Sequence, residues 1–539
     1  MHAAHDVVIR RGTVYDGSGG PPFPADVAID GDRIASVGTV PERGATEIDA
    51  AGLALAPGFI NMLSWATTSL IADGRSQSDI RQGVTLEIFG EGWSLGPVND
   101  AMRREQTEQQ GDIKYDITWT SLAEALETIA ARGISPNVAS FVGAASVRIH
   151  ELAHDDRPPT GVELERMRAL VDAAMRDGAL GLGSALIYAP ATYADIDELV
   201  ALAEVAARHR GMYISHMRSE GDRLVEAVDE VIEIARRAKL PAEIYHLKQA
   251  GSSNWNKLDA VIDRVESARG DGLAITADMY PYEAGATGLS SCFPPWAHEG
   301  GLRATLARLR DVGHRARIRE EMSRPGADWE NLYQAAGTPD GIVVVAFKNE
   351  RLKPLTGRTL GEIAAERGAD PRDVAMDLVL EDESRVGMVI FMASADNLRR
   401  EVALPWMSFG SDAGSLAPEG VFMKSQPHPR AYGTFARVLG RFARDEGAAP
   451  LEDVIRRMTG FPAANLKLDR RGLLRRGHFA DVVAFDAGTI ADRATYTDPH
   501  RYATGVAHVL VNGTPVLRDG DHTGARPGRV LFGPARRGG

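Results

Sequence analysis

A single cysteine, Cys292, stands among 539 residues. No intrachain disulfide can form, and a zinc site built from several thiolates is excluded. Nor does any apolar run approach the roughly 20 residues that a membrane-spanning helix needs. The opening residues, MHAAHDVVIRRG, lack the apolar stretch of a secretory leader, so the expected setting is reducing and cytoplasmic. An excess of basic charge is missing too. Lys and Arg number 61 against 74 Asp and Glu, a formal net charge of −13, which argues against a general nucleic-acid surface. The one basic cluster, Arg526 to Arg537, lies in a Gly/Pro-rich tail. There is no short-period repeat. The expected partner is therefore a small-molecule substrate, with no nucleic acid and no membrane; homo-oligomerisation is left open.

What is there has two textures. Both ends read as short strands with turns: Asp6–Arg10 and Asp26–Asp32 near the start, Ala480–Asp486 and His508–Gly513 near the end. Residues 1–55 and 475–539 are expected to pair into one small β-sandwich. Between them, 56–474 alternates apolar strand-like runs with Ala/Arg/Glu-rich helical stretches, such as Ile196–Arg210 and Arg223–Ala238. Strand ends at His216, His246 and Asp278 recur about every 30 residues, the length of one strand and its crossover helix. That rhythm predicts an α/β chain with a (β/α)8 barrel, the doubly wound open sheet being the alternative. No Gly-x-Gly-x-x-Gly opens a helix after the first strand, which counts against a dinucleotide fold. The interval 283–360 breaks the rhythm before Val343–Val345 resumes it, and reads as a lid-like insertion.

Barrel chemistry comes from the C-terminal ends of strands. The polar residues closing apolar runs are His216, His246, Asp278 and Asp412. Two histidines ending successive strands would converge on one point, and a later aspartate would complete a nitrogen/oxygen set suited to Zn²⁺.

Several long stretches carry a resemblance: YISHMRSEG, YHLKQAG, DMYPYEAGATGL, FGSDAG, HPRAYGTFARVLGRF and GHFADVVAFDAGTIADRATY. Through nearly its whole length the chain resembles the D-aminoacylase (N-acyl-D-amino-acid deacylase) branch of the amidohydrolase superfamily. The resemblance implies a barrel with a β-sandwich built from both termini. It gives His216 and His246 to a tightly bound zinc, Asp412 to general base and acid work, and Lys248, Tyr282 and Arg430 to the substrate's α-carboxylate. A guanidinium such as that of Arg430 also suits a carboxylate on physical grounds, gripping it with two parallel hydrogen bonds.

Two departures stand out. Where the family has a metal-bridging cysteine, the text is Gly90-Glu91-Gly92-Trp93-Ser94. Glu91 is expected to replace the thiolate, an anion of harder donor character. Glu87 lies on the same strand face by period two and is the alternative ligand or a supporting partner. The family's His-x-His pair after the first strand is absent as well: those positions hold Leu63 and Trp65. The pair serves the weaker second metal position, so only one of two positions is dismantled, and Leu63 and Trp65 are expected to fill it and wall the acyl pocket. The implied enzyme is a mononuclear zinc hydrolase of a linear amide on an N-acyl amino acid, with one Zn²⁺ per chain. Two other readings stay open: a cyclising, isomerising or otherwise non-hydrolytic enzyme on the same site, and a non-catalytic scaffold.

Overall fold

The computed structural model describes residues 4–325 and 328–536; Arg537 of the basic cluster lies outside them. Eight parallel strands form the central body: β1 (Phe59–Asn61), β2 (Val84–Phe89), β3 (Asn137–Ser140, continued by Val142–Gly143), β4 (Gly181–Ala185), β5 (Met212–His216), β6 (Ala242–Ile244), β7 (Ile275–Met279) and β8 (Met407–Phe409). All eight strands are buried at every residue, which is why they read as near-continuous apolar runs instead of alternating ones.

Each strand pairs in parallel with the next. The ring closes between β8 and β1: the Met62 N–H donates to Phe409 O at 3.1 Å, and the Asp412 N–H to Leu63 O at 2.8 Å. Closure distinguishes the barrel from the open sheet. Helices cover the strands with apolar faces. Ile196–Arg208 starts at Asp195, whose side chain accepts from the Glu198 N–H, and Leu224–Ala238 buries Val228, Val231, Ile232 and Ala235.

The chain ends join as expected. His5–Val14 pairs in parallel with Ala54–Pro57, which pairs antiparallel with Val482–Phe485. The result is one hydrogen-bonded sheet of nine strands, with Val7, Ile9, Leu55, Val482 and Leu510 in a shared core.

Between β7 and β8 sits a unit with its own antiparallel sheet, Ala284–Gly288, Gly387–Phe391 and Ile342–Ala346, in that spatial order. The Val343–Val345 run therefore belongs to the insertion and does not resume the barrel, and the insertion reaches past Leu360 to Phe391. A β-branched run looks alike in either sheet, which is why the sequence placed this boundary too early. Cys292 is buried in the insertion's core beside Leu289, Phe293 and Met388. Among the described residues no helix is long and apolar enough to cross a membrane.

Candidate metal centre

The strand ends bring three donors together. His216 closes β5 and His246 follows β6 by two residues. Glu91 follows β2 through Gly90, whose φ is +107° and where a Cβ would meet Phe141 O at 2.5 Å, so only glycine fits. That turn swings the Glu91 carboxylate inward. Glu91 Oε1 lies 2.8 Å from His216 Nδ1 and 2.8 Å from His246 Nε2. The two imidazoles stand edge to face with centroids 4.4 Å apart. All three groups are buried, and one ligand atom from each lies within 4.8 Å of the others. Burial alone would push the Glu91 carboxyl up, but the His246 and His216 rings override it and hold it below the usual carboxylate range. One anionic oxygen and two imidazole nitrogens match the donor set of zinc.

Glu87 does not reach this cluster. Its carboxylate accepts from Ser64 Oγ at 2.7 Å and Ser76 Oγ at 2.6 Å, and burial pushes it up to about 7. The period-two argument holds only while the strand continues, and the left-handed Gly90 ends it. Asp278 is likewise no part of the triad. Its Oδ1 accepts the His246 N–H at 2.8 Å, steadying a residue at the strained φ of +33°.

Asp412 stands beside the triad on the loop after β8. Its Oδ2 lies 2.8 Å from Arg430 Nη1. Burial pushes its carboxyl up, and the Arg430 cation opposes that shift. Arg430 opens the helix Arg430–Arg437, lies over the Tyr280 ring with its guanidinium carbon 4.3 Å from the centroid, and keeps a buried Nε without a hydrogen-bond partner. Lys248 Nζ donates to Glu220 Oε1 at 2.6 Å and sits 2.8 Å from His246 Nδ1.

Tyr282 is not brought to the site. Its ring packs against His428 and Tyr496 under the Arg437 guanidinium, and its hydroxyl faces the Gly433 and Asp492 side. The cavity wall is given instead by Tyr280, on the other side of Pro281. The first-strand substitutions also separate. Leu63 is fully buried in the barrel core with Ile60, Leu86 and Ile88, so it walls no pocket. Trp65 lines the cavity and is 40 % exposed. Its indole Nε1 donates to Glu91 Oε2 at 2.9 Å and to Asp412 Oδ1 at 3.1 Å.

The cavity above the triad measures about 580 Å³. The barrel supplies its polar floor, and the insertion supplies an apolar wall with Leu332, Met388, Ile390 and Met392. Sequence reasoning missed Glu220 and Tyr280. Glu220 had a usable signal, a carboxylate four residues after a strand-end histidine; Tyr280 had none to separate it from Tyr282.

The model of the amidohydrolase family matches residues 46–517. D-aminoacylase of Alcaligenes xylosoxydans xylosoxydans is 33% identical over 536 residues, 98% of this chain and 97% of that protein. A D-aminoacylase structure, from work describing one-metal activation and second-metal attenuation of its binuclear centre, superposes with a TM-score of 0.81 at 30% identity, covering 98% of this chain and 100% of that one. An N-acyl-D-glutamate deacylase from Bordetella bronchiseptica, complexed with zinc and a phosphonate mimic of the tetrahedral intermediate, gives 0.81 at 29% identity, covering 98% and 99%.

Proposed function

The chain belongs to the amidohydrolase family, as a metal-dependent hydrolase of carbon–nitrogen bonds other than peptide bonds, and we propose that it cleaves the linear amide of an N-acyl-D-amino acid with one zinc ion. The observation that carries this reading is the convergence of Glu91, His216 and His246 next to Asp412 and Arg430 at the floor of one cavity. The D configuration rests on the relatives' activities.

In this reading Glu91, His216 and His246 hold the ion. When bound, zinc supplies Lewis acidity toward the acyl carbonyl and acidifies water to a pKa of roughly 7. Asp412 accepts the proton of the attacking water on its free carboxylate lone pairs and hands it to the leaving nitrogen. Arg430, which lines the cavity and keeps an unpartnered Nε, meets the substrate's α-carboxylate, and Lys248 adds a second positive charge. Tyr280 replaces Tyr282 as the aromatic group at that end. The apolar wall from the insertion excludes water from the acyl or side-chain part of the substrate.

Support for a single ion comes from Trp65. Its N–H donates to both Glu91 Oε2 and Asp412 Oδ1, so the indole takes the place between the two carboxylates. The reading is tested by incubating the zinc-loaded protein with N-acyl amino acids of both configurations and resolving the products. Release of the free D-amino acid is expected. Turnover of the L series alone, or a rearranged product without hydrolysis, would refute it.

A further inference from the structure

His216 and His246 each turn one ring nitrogen toward Glu91, and the other two ring nitrogens look toward a single carboxylate that no part of the proposed reaction uses. Glu220 Oε1 is 2.9 Å from His246 Nδ1, 3.8 Å from His216 Nε2 and 2.6 Å from Lys248 Nζ. Glu220 is 2 % exposed, and His216 Nε2 is buried without any hydrogen-bond partner. One oxygen therefore faces three nitrogens at the buried floor of the cavity.

The chemistry of imidazole gives this arrangement a purpose. A neutral ring has one nitrogen lone pair and one N–H. If the lone pairs at His216 Nδ1 and His246 Nε2 go to a metal, hydrogen must reside on His216 Nε2 and His246 Nδ1, and those N–H groups need an acceptor. Glu220 is the only carboxylate within 4.0 Å of either atom among the described residues. Lys248 cannot serve, since an ammonium has no lone pair. Its 2.8 Å approach to His246 Nδ1 is a hydrogen bond only when that nitrogen lacks hydrogen. With hydrogen there, Glu220 is the acceptor for His246 Nδ1 at 2.9 Å and the carboxylate nearest to His216 Nε2, at 3.8 Å.

We propose that Glu220 is a positioning residue that fixes which nitrogen of His216 and His246 faces the metal, and that anchors Lys248 at the edge of the cavity. The inference rests on the reading of Glu91, His216 and His246 as a metal site. The insertion contributes to it as well, because Glu330 accepts the Glu220 backbone N–H from across the interface. The spacing also explains the HMRSE segment: Glu220 stands four positions after His216, enough for the chain to turn back on itself after β5.

The test measures Zn²⁺ affinity of the full chain by competition with a chelating dye, with the thermal midpoint of the metal-free protein as a check on folding. Glu220→Gln should weaken Zn²⁺ binding by about 10- to 100-fold, the usual cost of losing a carboxylate behind a ligating histidine. Because Glu220→Gln strands a buried ammonium, the same measurement is made on Lys248→Met and on Glu220→Gln combined with Lys248→Met. Lys248→Met should stay within about threefold of wild type, and the double variant should show the full loss. A double variant that binds Zn²⁺ as tightly as Lys248→Met overturns the inference while leaving the metal site intact. A wild type that binds no Zn²⁺ overturns both.

Discussion

The indole Nε1 of Trp65 donates to Glu91 Oε2 at 2.9 Å and, 3.1 Å away, to Asp412 Oδ1. A neutral donor thus links the carboxylate of the proposed metal triad to the proposed general base, at the place where a first-strand histidine would bring a second ion. Replacing Trp65 by His should supply a nitrogen donor next to both carboxylates and admit a second, weakly held ion. Trp65→Phe, which lacks any donor or ligand atom, should remain at one. Elemental analysis across a range of added zinc checks this, and an unchanged stoichiometry in Trp65→His would reject the explanation.

Leu63 obeys a different logic. It is fully buried against Ile60, Leu86 and Ile88, so its side chain stabilises the barrel and shapes no pocket. Leu63→Ala should cost about 2–5 kcal/mol of unfolding free energy, read from denaturant titration. Substrate affinity of the folded fraction should not change.

Asp412→Asn keeps the size of the side chain but removes its basicity. Turnover should fall by about 10² to 10⁴, with Zn²⁺ content unchanged. Near-normal turnover on the true substrate would place the base elsewhere.

Arg430→Lys replaces a planar fork by a point charge. The Michaelis constant for an N-acyl amino acid should rise, and the preference for the free acid over its amide should shrink. Equal treatment of acid and amide by the wild type would contradict a carboxylate-reading role.

Burial raises the Glu87 carboxyl from its ordinary 4.5 to about 7. The folded state then binds more protons than the unfolded state between those values, so stability falls as pH rises from about 4.5 to about 7. Glu87→Gln removes this term. Its thermal midpoint relative to wild type should climb across that window and level off above it.

Much of the barrel was legible because strands buried on both faces print as apolar runs, and because β5, β6 and β7 end at a regular interval. His216 and His246 stood at the ends of β5 and β6, and Asp412 just after β8. The rest was hidden for physical reasons. Val343–Val345 has the composition of a barrel strand yet lies in the insertion's antiparallel sheet, a choice made by tertiary pairing. Tyr280 and Tyr282 flank one proline, and nothing local says which faces the cavity. Glu87 and Glu91 share a strand phase that the positive φ of Gly90 breaks. The indole's bridge between Glu91 and Asp412 joins loops 26 and 347 residues apart in sequence, beyond the reach of any local pattern.

Glu91, His216 and His246 are proposed to form a single tight metal position. It is tested most directly by elemental analysis of the zinc-loaded wild type after gel filtration, alongside His216→Ala. Close to one ion per chain is expected in the wild type and none in the variant. Two tightly held ions per chain, or none after zinc supplementation, would contradict that expectation.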